Sequence, residues 1–576
     1  MSIGARISCE LRRHWPVLVL AVFVGLITTV PPSVAVHRMG AAYQGVSPVV
    51  IDDQMYYLAR GHETFDGHPT LGSPYLAEYK DTPSGQSWVP DMVLARISEL
   101  FGGLQSEVTV YGFFFPFLVV LLSYAIMHVL SRDRLLSFAL AALADPGINF
   151  QTFLRTPHPQ LLTVLFAALL AILLSLERKS ARWAIVAAVL GGSLFYMYPF
   201  YWTYYVVMVA LAVPACFLLV RDSGAHKTLG SILLGSLALG IPYFIENYRV
   251  SKLWYYHEAL QRNGVISTHF PSGFYITIIV ASSLAVWLWA WYKRFIPRTP
   301  ANVFIACAAA AGVAVASQAV ITGVNFFFTV HYTTFVEFMC IFVLGASVPA
   351  IFYAYMPQRK RYAVRWIAAT IVIALSLWHA VPGIIRLSTP TVNDIAVQRY
   401  GPVLQWLDAN TKTDEVVYAD NVLSTYIPAY TRDNVLFSSW AEVNLMPDRE
   451  VRDRFIRWHY FDGLTRESII AREADVFGAY YLGVWQHTAQ INKLRRLLGM
   501  PPLVVDRYPE SDIQSLIDQE HLLQKKPFLA AIQGYHLRYL VWDTTLHPEW
   551  RVAAVPGLHK LYEANGLVVY AMPSSS

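Results

Sequence analysis

Residues 14–30 read HWPVLVLAVFVGLITTV, an apolar run that contains no Asp, Glu, Lys or Arg. A helix needs about 20 mostly apolar residues to cross the hydrocarbon core of a bilayer, and this run with its flanks is long enough. Because Arg12 and Arg13 precede it, a cleavable signal peptide is one interpretation. We favour a retained signal anchor, since the run is long and PPSVAVHRMG (31–40) is a poor cleavage site.

The composition extends this interpretation to most of the chain. Hydrophobic residues make up 55% of the 576 residues, charged residues only 14%, and the mean hydropathy is +0.40. A soluble globular protein usually carries about 25% charged residues, so much of this chain avoids water. The formal net charge of +5 is spread over short basic clusters, which argues against a nucleic-acid partner.

Apolar runs of membrane-spanning character recur along the first two thirds of the chain. They predict a polytopic α-helical membrane protein with about 11 transmembrane helices. The third run is short and ends in a polar loop. The runs cover residues 15–36, 107–130, 135–150, 160–176, 183–199, 203–220, 228–246, 274–292, 303–323, 328–355 and 366–384.

The short loops between these runs predict the orientation. Cytoplasmic loops carry an excess of Lys and Arg, and alternate loops of this chain do so, whereas YPFYW (198–202) has neither. We therefore expect a cytoplasmic N-terminus in the cytoplasmic (inner) membrane. The basic loops are 131–134, 177–182, 221–227, 293–298 and 357–365.

Three longer segments then lie outside the cell membrane, at 37–106, 247–273 and 385–576. The last of these predicts a periplasmic or extracellular α/β domain, with the first 384 residues forming the membrane domain and its loop 37–106. EVVYAD (415–420) and LRYLVWD (537–543) predict strands, and KLYEANGLVVYAM (560–572) predicts a hairpin across Ala564-Asn565-Gly566. REVRDRFIRW (449–458) and DIQSLIDQEHLLQ (512–524) predict helices.

The first outer loop contains an adjacent acidic pair, Asp52 and Asp53, followed by Tyr56 and Tyr57. If residues 52–60 are helical, Asp53 shares one face with the two tyrosines. Such a carboxylate can accept the proton of an acceptor hydroxyl while a lipid-borne phosphate leaves, as a general base. The pair can instead hold a divalent cation, Mg²⁺ or Mn²⁺, against a phosphate. A third interpretation is that the pair only caps an interfacial helix.

Other polar residues at the predicted outer face are candidates for binding a substrate. Arg155 and His158 lie between the third and fourth runs, where an Arg can bind phosphate oxygens or extend to lipid headgroups. Glu337 is predicted inside a span, where an ionisable group needs a function or a partner. The candidate substrate-binding residues are Tyr56, His62, Glu78, Lys80, Arg155, His158, Arg249 and His331.

Several well-defined motifs are absent from the sequence. It has no P-loop, no GxGxxG in a βαβ setting and no HExxH, and its outer domain has no nucleophile elbow. The four cysteines are Cys9, which is predicted to be cytoplasmic, and Cys216, Cys307 and Cys340, which fall in apolar runs. The segments that are predicted outside therefore have no disulfide framework.

Taken together, the many spans, the long first outer loop and Asp52-Asp53-Gln54-Met55-Tyr56 resemble the GT-C superfamily of membrane glycosyltransferases. Members of that superfamily carry an acidic motif shortly after the first span, more often Asp-Glu than Asp-Asp. The resemblance implies inverting transfer of a sugar from a polyprenyl-phosphate donor at the outer membrane face, to a glycan, lipid or protein acceptor. Asp52 or Asp53 would act as the base, and Arg155, His158 or the 246–273 loop would hold the donor phosphate.

Two other classes of function stay open at this stage. A transporter or flippase of a lipid-linked glycan would have ionisable residues distributed near the membrane midplane, whereas here most polar residues lie at the outer edge. A non-catalytic docking protein would keep the architecture and bind through the 385–576 domain. A polymerase or ligase of lipid-linked polysaccharide would share the chemistry of the transferase.

Overall fold

A computed structural model of the protein describes residues 3–49, 53–68, 70–101, 107–148, 154, 158–220, 223–326 and 329–573. Within these ranges, all the predicted apolar runs fall on helices. Seven helices are long and apolar enough to cross a membrane, and a pair bent by 45° next to Gly240 makes an eighth. The chain is therefore a multi-pass membrane protein. Its helices up to residue 387 are α1 (Ile3–Met39), α2 (Gln54–Phe65), α3 (Val89–Leu100), α4 (Glu107–Ser131), α5 (Arg134–Ala142), α6 (His158–Arg178), α7 (Ala181–Ser193), α8 (Pro199–Leu219), α9 (Ser223–Leu239), α10 (Ile241–Val250), α11 (Tyr256–Arg262), α12 (Phe274–Tyr292), α13 (Pro300–Ala316), α14 (Ala319–Thr322), α15 (Thr333–Tyr355) and α16 (Gln358–Leu387).

The third apolar run differs most from its expectation. It forms only the 9 residues of α5, which continue into a π-helical turn at Leu143–Ile148. That turn contains Pro146, which lacks the N–H that an α-helix would need there. The runs predicted at 183–199 and 303–323 form apolar helices shorter than the seven long ones, at Ala181–Tyr196 and Pro300–Ala316.

The membrane helices share one buried core. Phe166 of α6 packs edge-on against Phe338 of α15, with ring centroids 4.9 Å apart. The prediction that Glu337 has a partner is confirmed, because the Tyr275 hydroxyl of α12 donates a hydrogen bond to its carboxylate at 3.0 Å. Cys216, Cys307 and Cys340 lie in helices α8, α13 and α15, and none of these described cysteines forms a disulfide.

The last third of the chain forms an α/β domain around a five-stranded sheet, as predicted. The strand order is β4-β3-β5-β7-β6, and β3 pairs in parallel with both β4 and β5. The predicted hairpin joins β6 and β7 through Asn565 and Gly566, which both have positive φ (51° and 80°), as a tight hairpin turn requires. The elements are α17 (Val392–Ala396), α18 (Gly401–Asn410), β3 (Val416–Tyr418), α19 (Asn421–Tyr430), β4 (Asn434–Val435), α20 (Asp448–Trp458), α21 (Arg466–Ala471), α22 (Glu473–Phe477), α23 (Tyr480–Leu497), α24 (Glu510–Leu523), α25 (Phe528–Ala531), β5 (Leu537–Asp543), β6 (His559–Ala564) and β7 (Leu567–Ala571).

The first outer loop is built into this α/β domain. Met55, Tyr57 and Leu58 of α2 are buried in the same hydrophobic core as residues of the sheet and of α19. The backbone N–H of Val435, in strand β4, donates to the carbonyl of Tyr75 at 2.9 Å. The loop and the domain that follows the last membrane helix are thus one packed body.

A two-stranded ribbon connects the other outer segments. Strand β1 (Val265–Ser267), from the 247–273 segment, pairs antiparallel with β2 (Val324–Phe326), which precedes α15. This pairing places the end of α11 and the start of α15 close to the outer ends of the membrane helices. These segments, α2 and the α/β domain surround the candidate site.

Candidate active site

A cavity of about 480 Å³ lies where the first loop, the outer ends of the membrane helices and the α/β domain meet. The first loop contributes one wall, and the turn before α8 contributes the second. The α11–β1 and β2–α15 connections form the third wall, and the segment 440–445 of the α/β domain closes the cavity. The lining residues are Asp53, Tyr56, Tyr57, Gly85, Gln86, Tyr198, Pro199, Phe200, Thr203, Leu260, Asn263, Val265, Phe326, His331, Tyr332, Trp440, Val443 and Leu445.

Asp53 supplies a buried carboxylate to this cavity, with 7% of the residue exposed. It stands directly before α2, and its carbonyl accepts the N–H of Tyr57 at 3.3 Å. Its side chain makes no capping hydrogen bond to the helix, so the interpretation of Asp53 as a simple helix cap is not supported. Asp53, Tyr56 and Tyr57 line the same cavity, as the helical spacing predicts.

Tyr56 is held in the wall by two residues that the sequence analysis did not single out. The Arg60 guanidinium donates to the Tyr56 hydroxyl at 3.2 Å and grips both carboxylate oxygens of Asp91 at 3.0 and 2.7 Å. All three side chains are buried. Burial raises the pKa of the Tyr56 hydroxyl, so this group stays protonated and can donate a hydrogen bond to a ligand. The i, i+4 spacing of Tyr56 and Arg60 was the available sequence signal.

Aromatic rings form much of the remaining surface of the cavity. Trp440 of the α/β domain lies 5.4 Å from the Tyr56 ring, between centroids. On the membrane side, the His331 ring packs at 4.8 Å against Phe200 and at 5.9 Å against Tyr198. The turn before α8 thus lines the cavity with Tyr198 and Phe200. Flat rings of this kind can pack against a sugar while His331 offers a hydrogen bond.

Three of the predicted substrate-binding residues of the first loop lie outside this cavity, in ion pairs. Lys80 is buried and pairs with Glu63 at 2.9 Å and with Asp414 of the α/β domain. Glu78 pairs with the buried Arg454 of α20 at 2.7 Å, and His62 lies 3.6 Å from Asp66. Lys80 and Glu78 thereby link the first loop to the α/β domain.

The basic residues of the 247–273 segment have two different environments. Arg249 is mostly exposed, with its guanidinium 3.7 Å from Glu246, and it does not line the cavity. Arg262 is buried, and its guanidinium donates to the carbonyls of Glu442, Asn444 and Met446. This second arginine fixes the segment 442–446, which carries Val443 and Leu445 of the cavity wall.

Three predicted site residues cannot be placed in this geometry. Asp52 and Arg155 lie outside the described residues. The backbone of His158 begins α6, but its side chain is also outside the described part. Within that part, the cavity brings together Asp53, Tyr56 and His331 from the predicted set.

A cluster that has the composition of a metal site lies elsewhere, on the α/β domain. Among the described residues, Asp462, His547 and Glu549 offer ligand atoms that all lie within 4.8 Å of one another. The His547 imidazole pairs with both carboxylates at 3.5 and 3.3 Å, and these carboxylates raise the pKa of His547. The contacts of the imidazole with these two carboxylates account for the geometry of the cluster without an ion.

No protein-family model and no curated protein matches the chain. Its structure is similar to ArnT from Cupriavidus metallidurans bound to undecaprenyl phosphate, at 13% identity and a TM-score of 0.49, over 97% of this chain and 98% of that one. It is also similar to the oligosaccharyltransferase AglB from Archaeoglobus fulgidus, in complex with an inhibitory peptide and a dolichol-phosphate. That match has 13% identity and a TM-score of 0.48, over 98% of this chain and 75% of that one.

The resemblance is one of architecture. At these identities and TM-scores the likeness carries no argument, and the function proposed for this chain rests on its own residues.

Proposed function

We propose that the protein is an inverting glycosyltransferase that moves a sugar from a polyprenyl-phosphate donor to an acceptor at the outer face of the cytoplasmic membrane. The observation that carries this proposal is the buried carboxylate of Asp53 in a cavity enclosed by membrane-helix ends on one side and the α/β domain on the other. In this proposal, a lipid-borne group enters the cavity from the membrane side and a polar acceptor enters it from the domain side.

The reaction proposed for the cavity is a single displacement at the anomeric carbon of the donor sugar. An acceptor hydroxyl attacks this carbon while the bond to the lipid phosphate oxygen breaks, and the phosphate leaves with the electron pair. Asp53 accepts the proton of the hydroxyl as the attack proceeds, which is general-base catalysis. The products are the glycosylated acceptor and polyprenyl phosphate.

The other cavity residues have supporting roles in this proposal. The Tyr56 hydroxyl accepts a hydrogen bond from Arg60, and in this proposal it donates a hydrogen bond to a sugar oxygen. Trp440 and Phe200 pack against the sugar ring. His331, on the membrane side, donates a hydrogen bond to the leaving phosphate, and Arg155 adds a cation to the same phosphate.

The roles of Asp52 and of a metal are part of the same proposal. Asp52 is the second carboxylate available beside Asp53, as base or as a ligand of Mg²⁺ or Mn²⁺. The metal alternative predicts that chelation abolishes transfer and that Mg²⁺ or Mn²⁺ restores it. The base alternative predicts transfer that survives chelation.

The test replaces Asp53 by Asn in the full-length protein and follows release of sugar-free polyprenyl phosphate. The donors are a panel of synthetic decaprenyl-phosphate sugars, and the acceptor is an extract of the bacterial cell envelope. Removal of a general base lowers the rate about 10²–10⁴-fold, so we expect a loss of that size. Asp81→Asn is the matched control, because Asp81 is an exposed carboxylate of the same loop. Equal rates for Asp53→Asn and Asp81→Asn would refute the proposed base.

A further inference from the structure

The far end of α23 exposes a group of large apolar side chains. The helix continues into LGMPPLVV (498–505), and Leu497, Leu498 and Val504 are 84%, 65% and 90% exposed. The further exposed apolar residues here are Leu494, Met500, Leu503 and Val505. We call residues 494–505 the apolar tip. Contiguous exposed apolar surface on a folded domain marks a contact with a membrane or a protein.

Hydrogen bonds fix the shape of the apolar tip. The Asn492 side-chain amide donates to the carbonyl of Leu503 at 2.9 Å, and the N–H of Leu503 donates back to the Asn492 side-chain oxygen at 2.8 Å. The Arg495 Nε donates to the carbonyl of Pro501 at 2.7 Å. These hydrogen bonds close residues 492–503 into a loop of fixed shape. The exposure of its leucines is therefore a property of the fold.

The charged side chains within α23 and the tip, residues 480–505, are all basic, and Asp506 follows directly after the tip. The last two turns of α23 carry Lys493, Arg495 and Arg496, and the sequence from 480 to 505 contains no Asp or Glu. Apolar side chains combined with Lys and Arg are typical of segments that lie in the headgroup region of a bilayer, where each basic residue near anionic lipid contributes about 1 kcal/mol.

The middle of α23 lies beside the outer end of a membrane helix. The His487 imidazole contacts the Thr268 hydroxyl at 2.7 Å, and its ring packs at 5.6 Å against Phe270. Phe270 directly precedes the segment that enters the bilayer as α12, which begins at Phe274. From His487 to Leu497 the helix advances about 15 Å, so the apolar tip lies about 15 Å along the helix axis from this contact.

We infer that the apolar tip is a membrane-contacting element of the α/β domain. Leu497, Leu498 and Val504 enter the headgroup region of the outer leaflet, and the basic residues of α23 bind anionic lipid phosphates. This contact adds a second attachment of the domain to the membrane, separate from the covalent connection through α16. It is independent of the chemistry in the cavity.

The test places a fluorescent reporter on the tip of the full-length protein in nanodiscs. Val504→Cys is labelled with the environment-sensitive dye NBD, and Lys525→Cys, an exposed position of the same domain beyond α24, is the matched control. The unmodified protein corrects for labelling of its own cysteines. In nanodiscs that contain phosphatidylglycerol and doxyl-labelled lipid, we expect blue-shifted, strongly quenched emission at position 504 and water-like, unquenched emission at 525.

Two results would overturn this inference. The first is water-like emission at position 504 that doxyl-labelled lipid does not quench. The second is a photo-crosslinker at position 504 that captures a protein, but no lipid, in native membranes. A charge variant gives independent support: Leu497→Asp with Val504→Asp should abolish the quenching of a reporter at position 500, whereas Lys525→Asp should leave it unchanged.

Discussion

Replacement of Arg262 by Ala gives the most direct test of how the outer segments hold the α/β domain over the cavity. The guanidinium donates to the carbonyls of Glu442, Asn444 and Met446 at 2.7, 2.9 and 3.0 Å, and it pairs with the Asp448 carboxylate. Only 2% of the Arg262 side chain is exposed. Truncation leaves three carbonyls and one carboxylate without this donor.

The size of the effect follows from the burial of these groups. Leaving a buried acceptor without its donor costs about 1–3 kcal/mol, and Arg262 serves three carbonyls, so the loss is about 3–5 kcal/mol; the Asp448 carboxylate, 39% exposed, adds little. For a domain of this size, each kcal/mol shifts the unfolding midpoint by about 2–4 °C. We therefore expect Arg262→Ala to lower the unfolding midpoint of the α/β domain by about 10 °C. The segment that carries Val443 and Leu445 loses its attachment at the same time, so transfer should fall as well.

The measurement is thermal unfolding of the full-length protein in nanodiscs, followed by tryptophan fluorescence and by protease cleavage within residues 247–273. Arg249→Ala is the matched control, because its guanidinium is 74% exposed and its pair with Glu246 spans 3.7 Å. Exposed pairs contribute about 0.2–1 kcal/mol, so this variant should unfold close to the parent. Equal midpoints and equal cleavage for the two variants would refute the reasoning.

Two further predictions concern the same domain. Gly478 has a φ of +63°, and a Cβ there would lie 2.1 Å from the carbonyl oxygen of Arg262. Gly499 also has a left-handed conformation (φ +68°), but the space around it is open. Gly478→Ala should therefore lower the unfolding midpoint far more than Gly499→Ala. Burial raises the pKa of Asp433 from 3.8 to about 7, so the folded state favours the protonated carboxyl. The contribution of this group to the free energy of unfolding is therefore fully present below pH 3.8 and is lost as the pH rises to about 7. Asp433→Asn should therefore unfold at a higher temperature than the parent above about pH 8 and near the parent value in acid; the same pH dependence in both proteins would contradict this.

Local features of the fold were predictable from the sequence. The hairpin at Asn565-Gly566 follows from a turn preference that two residues satisfy by themselves. The apolar runs predict helices because bilayer thickness sets their length. In the same way, α2 places Asp53 and Tyr56 on one wall of the cavity, since helical spacing is a local property.

The features that the sequence did not reveal depend on contacts between distant segments. Arg60 and its partner Asp91 are 31 residues apart in the sequence, and Arg262 and Asp448 are 186 residues apart. No local sequence pattern predicts either pair. Lys80 looked available for a substrate because its partner Asp414 belongs to another part of the chain. Charged side chains in an outer loop are ambiguous until packing shows which of them are paired.

Because the first loop and the α/β domain share one core, the site can form only after both segments have been synthesised. Residues 46–76 are synthesised early, whereas their core partners at 400–569 are synthesised last. At about 5–20 residues per second, the loop waits roughly 25–100 s for the last of these partners. During that interval Met55, Tyr57 and Leu58 have no domain to cover them, and the cavity lacks the wall that holds Trp440. A chain that stops before the last third would thus be inserted in the membrane but would lack the closed cavity. The cavity therefore forms only when synthesis is complete.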